Sequence, residues 1–196
     1  MGKNRLEAFS DGVIAILITI MVLELKAPHG TGAQVWIPQL PVFVCYVLSF
    51  LYLGIYWNNH HHMFHLAHRA TGGMLWANLH LLFWLSLVPV TTSWMGDNGF
   101  APLPTALYGV VLLLAAVAYV VLQQTIIASQ GPGSALRKAV GRDWKGKLSM
   151  TLYATAIPLA FWRPWISLGI YFVVAMIWLI PDRRIERSLH AEAAGD

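Results

Sequence analysis

The feature that most narrows the fold is a succession of long apolar stretches joined by short polar ones. They lie at about residues 8–25, 36–57, 74–94, 103–123, 148–162 and 164–180. A bilayer core about 30 Å thick is crossed by roughly 20 mostly apolar residues in a helix. Charged side chains make up 11% of the chain, against about 25% in ordinary soluble domains, and they crowd into the connections. Disorder and a nucleic-acid-binding stripe are thereby excluded. The lone Cys45 sits inside an apolar run, which excludes an intramolecular disulfide scaffold. The sequence therefore predicts an all-α, polytopic membrane protein with a single domain over residues 1–196.

The last two runs are separated only by Arg163 and Pro164. As one helix they would rise roughly 50 Å, well beyond the hydrocarbon thickness, and proline disfavours helix at the residue before it. A tight hairpin of two spans is expected instead, giving six transmembrane helices. Charge supports that number. With the N-terminus inside, only Lys26 and Arg163 among the 13 Lys and Arg fall outside, and both termini land on the cytoplasmic face of the cell membrane. Trp36, Trp94, Trp162 and Trp165 fall near the outer ends of runs, and Trp57, Trp76, Trp144 and Trp178 near the inner ends. Indole prefers the headgroup level, so these fit the same topology. Trp84 alone sits mid-span.

Ionisable groups at membrane depth are expensive and usually face a protein interior, so the polar exceptions carry the information. The first run opens Arg5-Leu6-Glu7-Ala8-Phe9-Ser10-Asp11-Gly12. One reading is a helix start, with Ser10 as cap and Asp11 at the positive end of the dipole. The other is a buried polar knot whose members reach partners on other helices. Arg5 and Asp11 point about 240° apart and do not pair along one face.

Arg5-x-x-x-Phe9-Ser10-Asp11 at the start of a first membrane helix resembles the signature of the endolysosomal potassium channel family, transmembrane protein 175 type. Weaker supporting marks are Trp57-Asn58-Asn59-His60-His61-His62, Asn78-x-His80 and Pro89-x-Thr91. The chain looks like a bacterial member with one six-helix repeat. The resemblance implies a homotetramer whose first helices line a central pathway for potassium and other monovalent cations. Arg5, Phe9, Ser10 and Asp11 would anchor that helix to its neighbours, with Asn78 and His80 as candidate partners. Ile16 falls where the family places an apolar constriction, Ile20 and Leu23 match the following layers, and Thr19 a polar layer. Geometry permits this, since Gly12, Ile16, Thr19, Ile20 and Leu23 lie within about 100° of arc, but an apolar stripe in a membrane helix is equally consistent with packing. No Thr-Val-Gly-Tyr-Gly filter occurs, so selection would arise from a narrow apolar neck that strips water. One such helix cannot enclose a pore, and a ring of four copies can.

Rival functions remain to be weighed. On a continuing helix His61, His65 and His68 would share a face able to hold a transition metal, although a solvated or inter-helix role for His60–His68 is the simpler reading. A haem-binding electron carrier would need deep histidine pairs, and only His80 qualifies. A secondary transporter would show paired helix breaks, which the Gly and Pro positions do not supply. Ser93 and Asp97 lie at the opposite end from His60–His62, so no catalytic triad forms. Glu24 near Lys26 reads as an outer-mouth charge pair or a snorkelling rim that concentrates cations. No phosphate-cradling motif, removable signal peptide or myristoylation signal is recognisable. The expectation is a passive, potassium-preferring channel and not an enzyme. It would have no catalytic residue, no resident cofactor and no metal site, potassium being the permeant ion.

Overall fold

Two prolines set where the apolar runs break. In the computed structural model, which describes residues 2–141 and 143–179, the described residues form helices and loops without a strand. The third run is split at Leu87 into α3 (Gly72–Ser86) and α4 (Val88–Asp97). Pro89 stands in the first turn of α4 and has no N–H to continue the ladder. The final pair is split at Arg163, whose backbone is extended (φ −147°, ψ 90°) between α7 (Trp144–Trp162) and α8 (Pro164–Leu179). Pro164 is the first residue of α8, where the missing N–H costs nothing. Helices α7 and α8 run antiparallel. Ser167 donates to the Ala156 carbonyl near the turn at 2.7 Å, and Trp178 donates to Ser149 at the far end at 2.8 Å.

The remaining elements are α1 (Lys3–Ile20), α2 (Leu40–His65), α5 (Pro102–Gln130) and the short α6 (Ala135–Val140). Four continuous segments are long and apolar enough to cross a membrane: Lys3–Glu24, Ala33–His65, Gly72–Asp97 and Pro102–Gln130. Helix α8 is a shorter apolar helix, and α7 falls outside that set. Helix α5, rising roughly 43 Å, is the central post. It packs on α3, α4, α7 and α8, whereas α1 packs on α2, α3 and α4 at the edge.

Several boundaries differ from the sequence expectation. Helix α1 starts at Lys3 with Gly2 as an extended, side-chain-free cap, so Ser10 is not a cap. It lies more than a turn inside. The first run ends in a 3-10 turn, Met21–Glu24. The second begins with a 3-10 stretch, Ala33–Gln39, and α2 then carries on to His65. The histidines expected beyond the span are thus part of it, and His68 lies past its end, so the face His61–His65–His68 does not form. Arg142, Ile180, Arg183, Arg184 and Arg187, which contributed to the charge bias and the last boundary, lie outside the described residues.

The α2–α5–α8 side of the bundle is tied by hydroxyls. Tyr153 donates to the Tyr52 hydroxyl (3.1 Å), Tyr52 to the Tyr171 carbonyl (2.6 Å), and Tyr171 to the Thr105 carbonyl (3.1 Å). Ser49 lies 2.6 Å from the Thr92 hydroxyl and 3.0 Å from that of Tyr108. All are buried, and in a dry interior a donor left unpaired costs its full desolvation penalty. Glycine allows the closest approaches. A Cβ at Gly96 would stand 2.8 Å from the Val42 Cα, and one at Gly109 would meet the Tyr171 ring and hydroxyl. Gly109→Ala should therefore lower stability by about 1–3 kcal/mol and displace the Tyr171 bond. Gly169→Ala, with open space around it, should leave the thermal midpoint in detergent unchanged or slightly raised. Equal midpoints for the two variants would contradict this packing.

Candidate functional site

Helix α1 has two unlike faces, and the sequence sorts them. Leu6, Ser10, Ile14 and Leu17 are buried, a 4-4-3 spacing that keeps one side turned inward. Ser10 is the polar member of that side, and its bonds have a fixed direction. Its hydroxyl donates to the Leu6 carbonyl at 3.0 Å, so its oxygen is left to accept. Asn78 Nδ2 supplies that bond from α3 at 2.8 Å, which turns Asn78 Oδ1 toward His60 of α2. A carbonyl oxygen only accepts, so the ring nitrogen 2.8 Å away, His60 Nε2, carries the proton. Three helices are thereby joined by one chain of donors, His60 to Asn78 to Ser10, with all three side chains fully buried. His60 Nδ1 has no partner, and the ring stacks on Phe64 with centroids 4.4 Å apart. The neutral, Nε2-protonated form satisfies the chain, since a second proton would sit on a buried nitrogen with nothing to accept it.

A second set of contacts runs along the outside of the α1–α2 pair. Lys3 Nζ donates to the His65 carbonyl (3.2 Å), Glu7 Oε1 lies 2.9 Å from His61 Nδ1, and Asp11 Oδ1 accepts from Trp57 Nε1 (3.1 Å). The positions step by four on each helix in opposite directions, as antiparallel neighbours require. Lys3 also places a cation at the carbonyl end of α2. The α2 members are exposed and Lys3, Glu7 and Asp11 half-buried, so each pair contributes little alone, typically under about 1 kcal/mol.

The signature residues therefore divide. Ser10 and Asn78 meet directly. Asp11 is held by Trp57. Phe9 is about half exposed (49%) and projects away from the core. Arg5 is exposed, and its side chain enters none of the described hydrogen bonds or ion pairs. His80 is corrected as a partner of the knot: it is exposed, and its Nε2 accepts from Trp84 one turn along α3 at 2.9 Å. That bond also gives the mid-span Trp84 indole its acceptor. Glu7, Trp57 and His60 are members that sequence reasoning did not place. The matching four-residue steps 3-7-11 and 57-61-65 are the signal that finds the first two.

The opposite face of α1 carries Gly12, Ile16, Thr19, Ile20 and, in the 3-10 turn, Leu23. All are exposed within the subunit, with Ile16 at 62% and Leu23 at 74%. Thr19 donates its hydroxyl proton back to the Ala15 and Ile16 carbonyls, both at 3.0 Å, which leaves only acceptor lone pairs facing outward. Near the C-terminal end of this helix Ser93 donates to Glu24 (2.8 Å) and more distantly to Asp97 (3.3 Å). The expected Glu24–Lys26 pair is not among the described ion pairs, of which His61–Glu7 is the one present. Among the described residues no three His, Cys, Asp or Glu side chains gather as a metal would need; within the histidine run, His60 and His61 bond to side chains of other helices.

Asn78→Leu should remove both central bonds and strand the buried His60 Nε2–H, at a cost of about 1–3 kcal/mol. Adding Ser10→Ala should then cost less than its separate effect, because the two share a bond. Thermal denaturation of the purified variants measures both, and additive losses would contradict the chain of donors.

Comparison with known proteins agrees with this architecture. Residues 5–89 match the family described as "Endosomal/lysosomal potassium channel TMEM175". A potassium channel from Chryseobacterium sp. is 52% identical over 189 residues, 96% of this chain and 98% of that one. The crystal structure of a lysosomal potassium-selective channel TMEM175 homolog from Chamaesiphon minutus superposes with a TM-score of 0.77 at 26% identity. That match covers 92% of this chain and 97% of the other. The endosomal/lysosomal proton channel TMEM175 of Gallus gallus is 30% identical over 46% of this chain and 20% of its own length. The chain is a multi-pass membrane protein belonging to the TMEM175 family of ion channels, as a bacterial-type member, and not an enzyme.

Proposed function

We propose that this chain forms a homotetrameric, passive, potassium-preferring cation channel of the cell membrane. Each subunit crosses six times with both termini cytoplasmic, and the exposed face of α1 lines the pathway. The observation that carries this reading is the unpacked stripe of Gly12, Ile16, Thr19, Ile20 and Leu23 on a helix at the edge of the bundle. The stripe is free of charge, and its one hydroxyl has only acceptor lone pairs to offer. The names of the Chryseobacterium and Chamaesiphon relatives support potassium as the permeant ion. No resident cofactor is invoked.

One copy of α1 cannot surround an ion, so the stripe acquires a function when four copies face a common axis. Ile16 would then form a ring of branched apolar side chains that offers no ligand to a passing ion. A cation crosses such a neck only by losing part of its water. Potassium holds water less tightly than sodium, so the neck penalises sodium more. The same ring closes by dewetting. Thr19, one turn beyond, presents four oxygens that partly replace the lost hydration. Ser10, Asp11 and Asn78 act at a distance, by fixing the rotation of α1 that aims the stripe.

The test is ion flux from purified protein in liposomes under potassium and sodium gradients. Ile16→Asn should raise conductance several-fold and move the reversal potential toward non-selectivity. Unchanged reversal potentials with unchanged conductance would remove Ile16 from the pathway. Flux that saturates steeply and is driven by a proton gradient would favour a secondary transporter instead.

A further inference from the structure

Away from α1, the ends of α5, α6 and α7 enclose a cleft of about 300 Å³ that the ion pathway does not use. Its walls are of two kinds. Val120, Ile127 and Met150 give an apolar side along α5 and α7, while Arg137 of α6 and Lys147 of α7 stand at the rim with their side chains exposed. The turn at Gly141 (φ +57°) folds α6 back so that the two cations share one opening. One carboxylate, Asp143, also borders the cleft. It is occupied with capping α7, accepting from Gly146 N at 3.2 Å, which directs it into the first turn of that helix. Beside the rim, Trp144 is exposed, as an indole at headgroup level would be.

We infer that this cleft binds an anionic phospholipid, with the phosphate held between Arg137 and Lys147 and an acyl chain lying along Val120, Ile127 and Met150. A planar guanidinium engages two phosphate oxygens at once, and an ammonium adds a point charge. Basic pockets between membrane helices recognise anionic headgroups through this pairing. A free phosphate would be served by the cations alone, whereas the apolar wall has a role only for a ligand with a tail. The depth of the site rests on the proposal that α5 and α7 cross the bilayer.

The test uses the full-length purified protein, stripped of lipid and titrated with phosphatidylglycerol, phosphatidylcholine or inorganic phosphate, and read by native mass spectrometry. One phosphatidylglycerol per chain should be retained in preference to phosphatidylcholine. Arg137→Gln with Lys147→Gln should weaken that retention by on the order of tenfold or more. The charge-keeping pair Arg137→Lys with Lys147→Arg should preserve it, which guards against a folding defect in the neutral pair. Equal retention of phosphatidylcholine, undiminished retention in the neutral pair, or loss in the charge-keeping pair would overturn the site. Occupancy by inorganic phosphate that phosphatidylglycerol fails to displace would overturn the lipid assignment. Potassium flux from the same samples is a separate readout. Its absence with lipid selectivity intact would sink the channel reading alone, and the reverse would sink only the lipid site.

Discussion

The structure depends on a solvent that supplies no hydrogen bonds. In hydrocarbon a polar group keeps its energy only by pairing within the protein, and directional chains pair most of the buried side-chain groups described, His60 Nδ1 and Gln123 Oε1 excepted. His60, Asn78 and Ser10 form one, ending on the Leu6 carbonyl. Tyr153, Tyr52, Tyr171 and Thr105 form another. The second stitches α2, α5, α7 and α8 into a frame. The first fastens α1 to that frame through α2 and α3. Because every donor in the α1 chain is fixed by the group after it, the helix is held at a defined rotation, which apolar packing alone specifies poorly between surfaces as alike as lipid and leucine.

This division of labour explains why the polar residues of α1 and its exposed apolar residues are separate sets. Ser10 is fully buried, while Ile16 and Leu23 are among the most exposed large side chains of the subunit. In the proposed channel the first set determines where the second points. Ser93 is hydrogen-bonded to carboxylates and His60 to an amide. In the proposed channel, function is a matter of shape and hydration.

Much of the fold was legible because hydrophobic length and proline are strong signals. The six runs, the break at Arg163–Pro164 and the all-helical class follow from them directly. Ends were less legible. Helix α2 overruns Trp57 because Asn58–His62 and His65 are polar yet continue the helix, with Lys3 satisfying the His65 carbonyl from another segment. The split at Leu87 falls inside one run that the sequence reading kept whole, although Pro89, two residues on, marks it. In the site, Asn78 could be suspected from its depth in a membrane helix, whereas His80, two residues on, has nearly the same sequence claim. They differ by about 200° around α3, and only tertiary packing shows which one faces α1. Glu7 and Trp57 became visible as partners only once α1 and α2 were known to be antiparallel.

The external α1–α2 contacts carry one further consequence. Lys3 with His65, Glu7 with His61, and Asp11 with Trp57 all have residue numbers that add to the same total, 68. A slip of one helix past the other by a single position would mismatch every rung together. A shift by four residues would bring Glu7 level with Trp57 and set Asp11 against the buried, apolar Leu53. The three contacts therefore fix one register of the two rods, and the next one in step with them lies about 6 Å away.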